Sequence, residues 1–226
     1  MEHLKVSFVG AGNMARSLIG GLIGNGLKAQ NIRAYDPDPS ALERASALGP
    51  ILSCEDLREA TEGIGIIVLA VKPGVVGEAC EALRDLVIGE EVVIVSIAAG
   101  ITASTVNSYF GEDTLIVRSM PNTPALIGRG VTGIFANCSL SKDMFEAVDF
   151  LFDSVGSTYW VRDESDLDIV TALSGSGPAY FFLFVECLVD AAIKLGLDES
   201  TATLMAKETA TGAAHMMLES DLEIKK

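Results

Sequence analysis

The sequence predicts an α/β fold in two parts: a helix-covered sheet over residues 1–161, then an all-α segment over residues 162–226. Three observations predict it. Short apolar runs alternate with helical patterns through about residue 160. The first of these runs feeds a glycine-rich turn and then an amphipathic helix. After Trp160 only helical patterns remain, near 163–173, 176–195 and 198–219.

Strands are expected near 4–10, 31–36, 65–71, 91–97, 114–119, 131–136 and 155–161. Gly65–Val71 and Val92–Ile97 are continuous apolar, β-branched runs, the composition of strands covered by helices on both faces, and so should be central. In a doubly wound sheet ligands bind beyond the carboxyl ends of the strands. That rule brings Ala70, Val71, Lys72 and Pro73, and after the next strand Ala98, Ala99 and Gly100, to the side of the first glycine turn.

That first turn reads Gly10-Ala11-Gly12-Asn13-Met14-Ala15. G-x-G-x-x-A between a strand and a helix is the dinucleotide-binding signature of a Rossmann domain. Gly10 permits the tight turn and Gly12 lets backbone approach a pyrophosphate. Ala15 keeps helix and strand close, and the helix N-terminus offers N–H groups to phosphate. The helix behind it is apolar at Met14, Leu18, Ile19, Leu22 and Ile23. A second acidic element is expected about 20 residues on, at a strand end, to accept from the adenosine ribose hydroxyls. Asp36 supplies it. A 2′-phosphate would meet this carboxylate, so the charge favours NADH over NADPH unless Arg33 or Arg44 compensates. Asp36 is not needed as a helix cap, because Asp38 before Pro39, or Ser40 with Glu43, can start the next helix.

Composition narrows the partners. The 226 residues carry 16 Lys and Arg against 31 Asp and Glu, a net charge of −15, which argues against nucleic acid and anionic membranes. Cys54, Cys80, Cys138 and Cys187 lie far apart, and His3 and His215 are the only histidines, so neither a disulfide framework nor a zinc site is expected. A reducing cytoplasm fits, and the N-terminus lacks the basic and apolar regions of a secretion signal.

The run Pro178–Leu195 is long and apolar, but Glu186, Asp190 and Lys194 recur every four residues along one face. A buried helix of a soluble protein is the expectation. Its apolar surface exceeds what a short helical tail can cover, which predicts a homodimer or higher homo-oligomer.

Three further segments carry a resemblance. They are Ala70-Val71-Lys72-Pro73, Ser119-Met120-Pro121-Asn122-Thr123-Pro124, and Ala172-Leu173-Ser174-Gly175-Ser176-Gly177-Pro178-Ala179-Tyr180. With the glycine turn, in this order and spacing, the whole chain resembles the pyrroline-5-carboxylate reductase family. The resemblance implies hydride transfer from NADH or NADPH to 1-pyrroline-5-carboxylate, giving L-proline, in a cytoplasmic enzyme. It implies no nucleophile, no metal and no catalytic side chain, with rate coming from positioning in a dry cleft.

Among the matched residues, Lys72 reads as a positioning contact or as a solvated strand end. Asn122 and Thr123 read as a rigid turn or as groups facing substrate. Ser174, Gly175, Ser176 and Gly177 read as an N-cap with a flexible approach, as anion-binding groups for the substrate carboxylate, or as both. Glu219 and Asp221 read as solvated helix-end charges. The family continues past a helix like residues 213–222 into a T-S-P-G-G-T-T-like loop that helps grip the carboxylate; this sequence stops before it. Two alternatives stand beside this reading: a β-hydroxyacid dehydrogenase-like reductase, disfavoured because Lys194 is the only lysine on the long helix, and a non-catalytic dinucleotide sensor.

Overall fold

The computed structural model describes residues 3–87, 92–111 and 114–219. Asp221 and the first residue of the strand expected at 91–97 lie outside them. Contacts divide the chain into two compact units, residues 1–175 and 176–226.

The first unit is built on one eight-stranded sheet of order β3-β2-β1-β4-β5-β6-β7-β8. Its strands are β1 (Val6–Val9), β2 (Ile32–Tyr35), β3 (Leu52–Ser53), β4 (Ile66–Leu69), β5 (Val93–Ser96), β6 (Leu115–Met120), β7 (Gly130–Ala136) and β8 (Gly156–Trp160). From β3 to β6 every pairing is parallel, so the carboxyl ends of β1, β4, β5 and β6 share one edge. β7 runs antiparallel to β6, and β8 parallel to β7. β4 and β5 are central, as their composition predicts, and all eight of their residues are buried. The edge strand β3 was not predicted: two exposed residues carry no periodicity to read.

Helices α1 (Asn13–Gly24), α2 (Pro39–Ser46), α3 (Leu57–Thr61), α4 (Val76–Val87), α5 (Ala103–Phe110) and α6 (Lys142–Asp153) cover the sheet. Two apolar clusters result. One joins Phe8, Leu18, Ile19 and Leu22 to Val148, Leu151 and Phe152; the other joins Ile67, Leu69 and Ile94 to Cys80, Leu83 and Val106. The start of α2 is settled by Asp38, whose carboxylate accepts from the Ser40 N–H at 3.0 Å, with Pro39 at the first helical position.

Register gives β7 an overhang. Met120, the last residue of β6, faces Gly133, so Gly130, Val131 and Thr132 extend past the end of β6. Helix α7 (Asp166–Val170) and a π turn (Thr171–Gly175) pack at the foot of this overhang; a Cβ added at Gly133 would lie 2.7 Å from Val170 Cγ1. Hence the first unit, defined by contacts, ends at Gly175. Leu167 is fully buried, and Glu164 is tied to the sheet by Arg118 of β6 (2.9 Å) and to the start of α5 by the N–H of Ala103 (2.7 Å). The stretch after Trp160 therefore belongs physically to the sheet.

The second unit consists of α8 (Gly177–Lys194) and α9 (Glu199–Glu219), which pack together. Asp198 starts α9 by accepting from the Thr201 N–H at 3.0 Å, and the Thr201 side chain together with that N–H holds its carboxyl below the usual range. Within the single chain α8 is open, in line with an apolar surface larger than the helical tail can cover: Tyr180 is 61% exposed, Phe181 64% and Phe182 68%.

Candidate dinucleotide and substrate site

β1 ends at Val9, and the chain turns at Gly10 with φ of 100°, a conformation open to glycine and strained for any other residue. A Cβ there would also lie 2.6 Å from the Ala70 carbonyl oxygen, so the turn after β1 and the turn after β4 touch backbone to backbone. The Gly10 N–H donates to the Tyr35 carbonyl at 2.8 Å, fastening the same turn to the end of β2. Three strand ends are thereby gathered at one point.

At Gly12 the situation is opposite: a Cβ would meet nothing within 4 Å. The space over this residue is open, and Gly12 is the N-cap of α1 with no side chain capping the helix. The first-turn N–H groups of a twelve-residue helix therefore face that space with their partial positive charge. Asn13 is exposed beside it, its Oδ1 accepting from Arg16 at 2.6 Å, while Met14 is half-buried against the core.

The Asp36 carboxylate is held at both oxygens. Oδ2 accepts from the Ala11 N–H at 2.8 Å and Oδ1 from the Asp38 N–H at 2.8 Å. The acid thus bridges the glycine turn and the β2 end, fixed in place by backbone and still half open. The two arginines that could offset its charge are engaged elsewhere. Arg33 donates to the carbonyls of Glu59 and Glu62. Arg44 donates to Ser40 Oγ at 2.9 Å and pairs with Asp38 at 3.7 Å.

Around the same edge, Ala70 and Val71 are half-buried behind Gly10, and exposed Lys72 is the N-cap of a 3-10 turn over Pro73–Val75. Ala98 is buried with its N–H on Ser96 Oγ at 3.4 Å, and Ala99 is exposed next to it. These features fit a dinucleotide: an open glycine, an uncapped helix start, and a carboxylate anchored beside them on the N–H of Ala11 at the end of β2. Among the described residues, no group of His, Cys, Asp and Glu is placed to hold a metal ion.

The expected substrate groups separate. Asn122 is 6% exposed, and its amide is consumed by backbone: Oδ1 accepts from the Val131 N–H at 2.8 Å, and Nδ2 donates to the Ser174 carbonyl at 2.9 Å. It brings the β6 end, the β7 start and the π turn together and does not face solvent. Thr123 is exposed in the 3-10 turn Thr123–Ile127. Ser174 turns its hydroxyl back onto the Val170 carbonyl at 3.0 Å, and a Cβ on Gly175 would lie 2.8 Å from Met120 Cε, so the π turn is seated directly on the end of β6.

Ser176 occupies the N-cap of α8, but its side chain makes no capping bond, which corrects the expectation that it caps the helix. Gly177 opens that helix and Pro178 follows in its first turn. Sequence reasoning missed the Arg118–Glu164 pair. Its partners stand 46 residues apart, and only the reversal of β7 and β8 brings them together.

The sequence matches the family model described as NADP oxidoreductase coenzyme F420-dependent over residues 5–100, and that described as pyrroline-5-carboxylate reductase dimerisation over residues 164–226. A pyrroline-5-carboxylate reductase of Pseudomonas aeruginosa is 44% identical over 225 residues, covering 99% of this chain and 81% of that protein. Among solved structures, a pyrroline-5-carboxylate reductase from Coxiella burnetii superposes with a TM-score of 0.92 at 36% identity, covering 98% of this chain and 82% of that one. The Plasmodium falciparum pyrroline carboxylate reductase with NADP bound gives a TM-score of 0.86 at 30% identity, covering 100% of this chain and 82% of that one. With the strand-end edge, its anchored carboxylate and these relatives taken together, the chain belongs to the pyrroline-5-carboxylate reductase family.

Proposed function

We propose that this chain reduces 1-pyrroline-5-carboxylate to L-proline with a reduced nicotinamide dinucleotide. The observation that carries the reading is the anchored Asp36 opposite the open Gly12, on a chain 44% identical to a reductase of that name. When bound, the dinucleotide would supply the hydride that reduces the C5–N double bond of the protonated imine, whose own nitrogen already carries the proton of the product amine. Everything the chain contributes is placement. The N–H groups of Gly12, Asn13 and Met14 take the pyrophosphate, and Asp36 takes the adenosine ribose. Ala70, Val71, Lys72 and Pro73, with Ala98 and Ala99, line the strand ends along which the nicotinamide half would lie. On the first unit, Ser174 and Gly175 bind the substrate carboxylate; on the second, the uncommitted Ser176 hydroxyl and the N-terminus of α8 at Gly177 are free to bind an anion. Orientation of this kind is worth several kcal/mol of barrier without any covalent step.

The coenzyme preference is for NADH. A 2′-phosphate beside Asp36 would also meet Asp38, and both arginines within reach are already engaged by local partners. The protein works as a homodimer or higher homo-oligomer in the cytoplasm. A second copy covers α8: the stretch Asp166–Lys194 has the length and composition to cross a membrane, yet Glu186 and Asp190 line its apolar groove. Four free cysteines suit a reducing compartment. Initial rates of NADH and NADPH oxidation with pyrroline-5-carboxylate test the reading. Turnover with a higher kcat/KM for NADH is expected; dinucleotide binding with no turnover would leave a sensor in its place.

A further inference from the structure

The helical path from α7 through the π turn into α8 is broken at one hydrogen bond, and Asn122 mends it. In an α-helix the Ser174 carbonyl would accept from the N–H four residues on. That residue is Pro178, which has none. The next N–H along, of Ala179, is spent on the Ser176 carbonyl at 3.0 Å. A half-buried carbonyl without a donor is costly, and the chain supplies one from elsewhere: Asn122 Nδ2, at 2.9 Å. The other end of the same amide accepts from the Val131 N–H, so the side chain cannot rotate without losing two bonds. π turns gather at functional sites, and this one ends on β6, at the edge that carries Gly12 and Asp36.

We propose that Asn122 is a positioning residue: its amide supplies the donor that Pro178 withholds from the Ser174 carbonyl and so fixes Ser174 and Gly175 at the strand-end edge for the imino acid. This rests on the reading that Ser174 and Gly175 contact the substrate. Asn122 itself touches neither substrate nor dinucleotide. It acts on one and not the other, because the glycine turn and Asp36 are held by bonds it does not share.

The isosteric variant Asn122→Asp isolates the donor. Its carboxyl keeps an acceptor for the Val131 N–H, loses the donor when ionised and regains it when protonated. At pH 8, kcat/KM for pyrroline-5-carboxylate is expected to fall about 10- to 100-fold, with the dissociation constant for NADH unchanged. Relative to the parent protein, activity should recover as the pH is lowered towards 5.5. A residue that only stabilised the fold would lower the melting temperature and leave that pH dependence absent. Equal pH profiles for variant and parent, or equal losses in NADH and imino-acid affinity, overturn the proposal.

A second variant guards against misfolding. Asn122→Ser shortens the side chain so that its hydroxyl no longer reaches the Ser174 carbonyl, without adding charge, and combining it with Pro178→Ala returns a backbone N–H at the fourth position. The pair should recover activity that Asn122→Ser alone loses; no recovery counts against the proposal. If the parent chain turns over no imino acid, the reductase reading fails on its own, and hydrogen exchange decides the role of Asn122. Amides of residues 171–177 should then exchange at least tenfold faster in Asn122→Ser while those of α1 do not change; unchanged exchange at 171–177 overturns it.

Discussion

β5 and α8 are both built from nearly unbroken apolar residues, and they end in opposite environments. Val93, Ile94 and Val95 are fully buried under helices on both faces of the sheet, whereas Phe181, Phe182, Leu183 and Phe184 stay 59–68% exposed. The strand has its cover within its own unit; in the second unit the helix packs on α9, with a groove of about 620 Å³ between Phe181, Phe182, Val185 and Val189 on one side and Ala210 and Ala214 on the other. Apolarity alone therefore says that a segment must be covered. The number of neighbours that the same chain can bring says whether the cover is internal or a second copy.

The contrast can be broken most directly on α8. Phe181→Glu combined with Phe182→Glu should weaken self-association by about 4 kcal/mol or more, enough to turn the assembly into monomers at micromolar concentration in sedimentation velocity. Dinucleotide binding by the first unit should survive. An unchanged sedimentation coefficient would place the contact between copies elsewhere.

Within the sheet, two glycines of one signature should behave differently. Gly10→Ala meets both a positive φ and the Ala70 backbone, and is expected to cost about 3 kcal/mol of stability as well as NADH binding. Gly12→Ala meets no protein atom, so denaturant midpoints should hold while NADH affinity drops. A Gly12→Ala protein that binds NADH normally would remove the pyrophosphate from that space.

Arg118→Met leaves Glu164 and Asp168 without their cation. The expected loss is about 2 kcal/mol in urea unfolding, below the usual range for a broken buried pair because both carboxylates retain some solvent. Asp36→Ser should raise the NADPH-to-NADH ratio of kcat/KM about tenfold, the effect of removing one of the two acids near the ribose. A further prediction concerns pH. Burial alone pushes the Cys80 thiol up to about 11 from 9.0, so the native state holds its proton longer than the unfolded chain does. Stability from this group is complete below pH 9 and is lost as the pH rises from 9 towards 11. Denaturant melts across that range should show the decline in the parent and less of it in Cys80→Ala.

Much of this was legible because it is local. The glycine turn, Asp36 at the end of β2, and the central runs β4 and β5 each announce themselves within ten residues, through backbone requirements or burial pattern. What escaped depends on distant segments meeting. Asn122 sits in a proline-bounded turn that suggests a ligand contact, and only its bonds to Val131 and Ser174 reveal a brace. The helical pattern near 163–173 is visible, but its attachment to the sheet depends on Arg118 and on an overhang that no periodicity records. Ser176 occupies the cap position its neighbours predict and leaves its hydroxyl unspent, because the backbone there is already helical, with φ of −86° and ψ of −23°.

The overhang of β7 works as a ledge. Strands rise about 3.3 Å per residue, so Gly130, Val131 and Thr132 lift roughly 10 Å of sheet wall above the last residue of β6. α7 and the π turn climb against that wall, and its height sets the level at which the chain leaves the sheet at Gly175. Lengthening the turn between β6 and β7 would leave this level alone. Shortening β7 at its start would lower it in steps of one residue, taking Ser174 away from the brace that holds it.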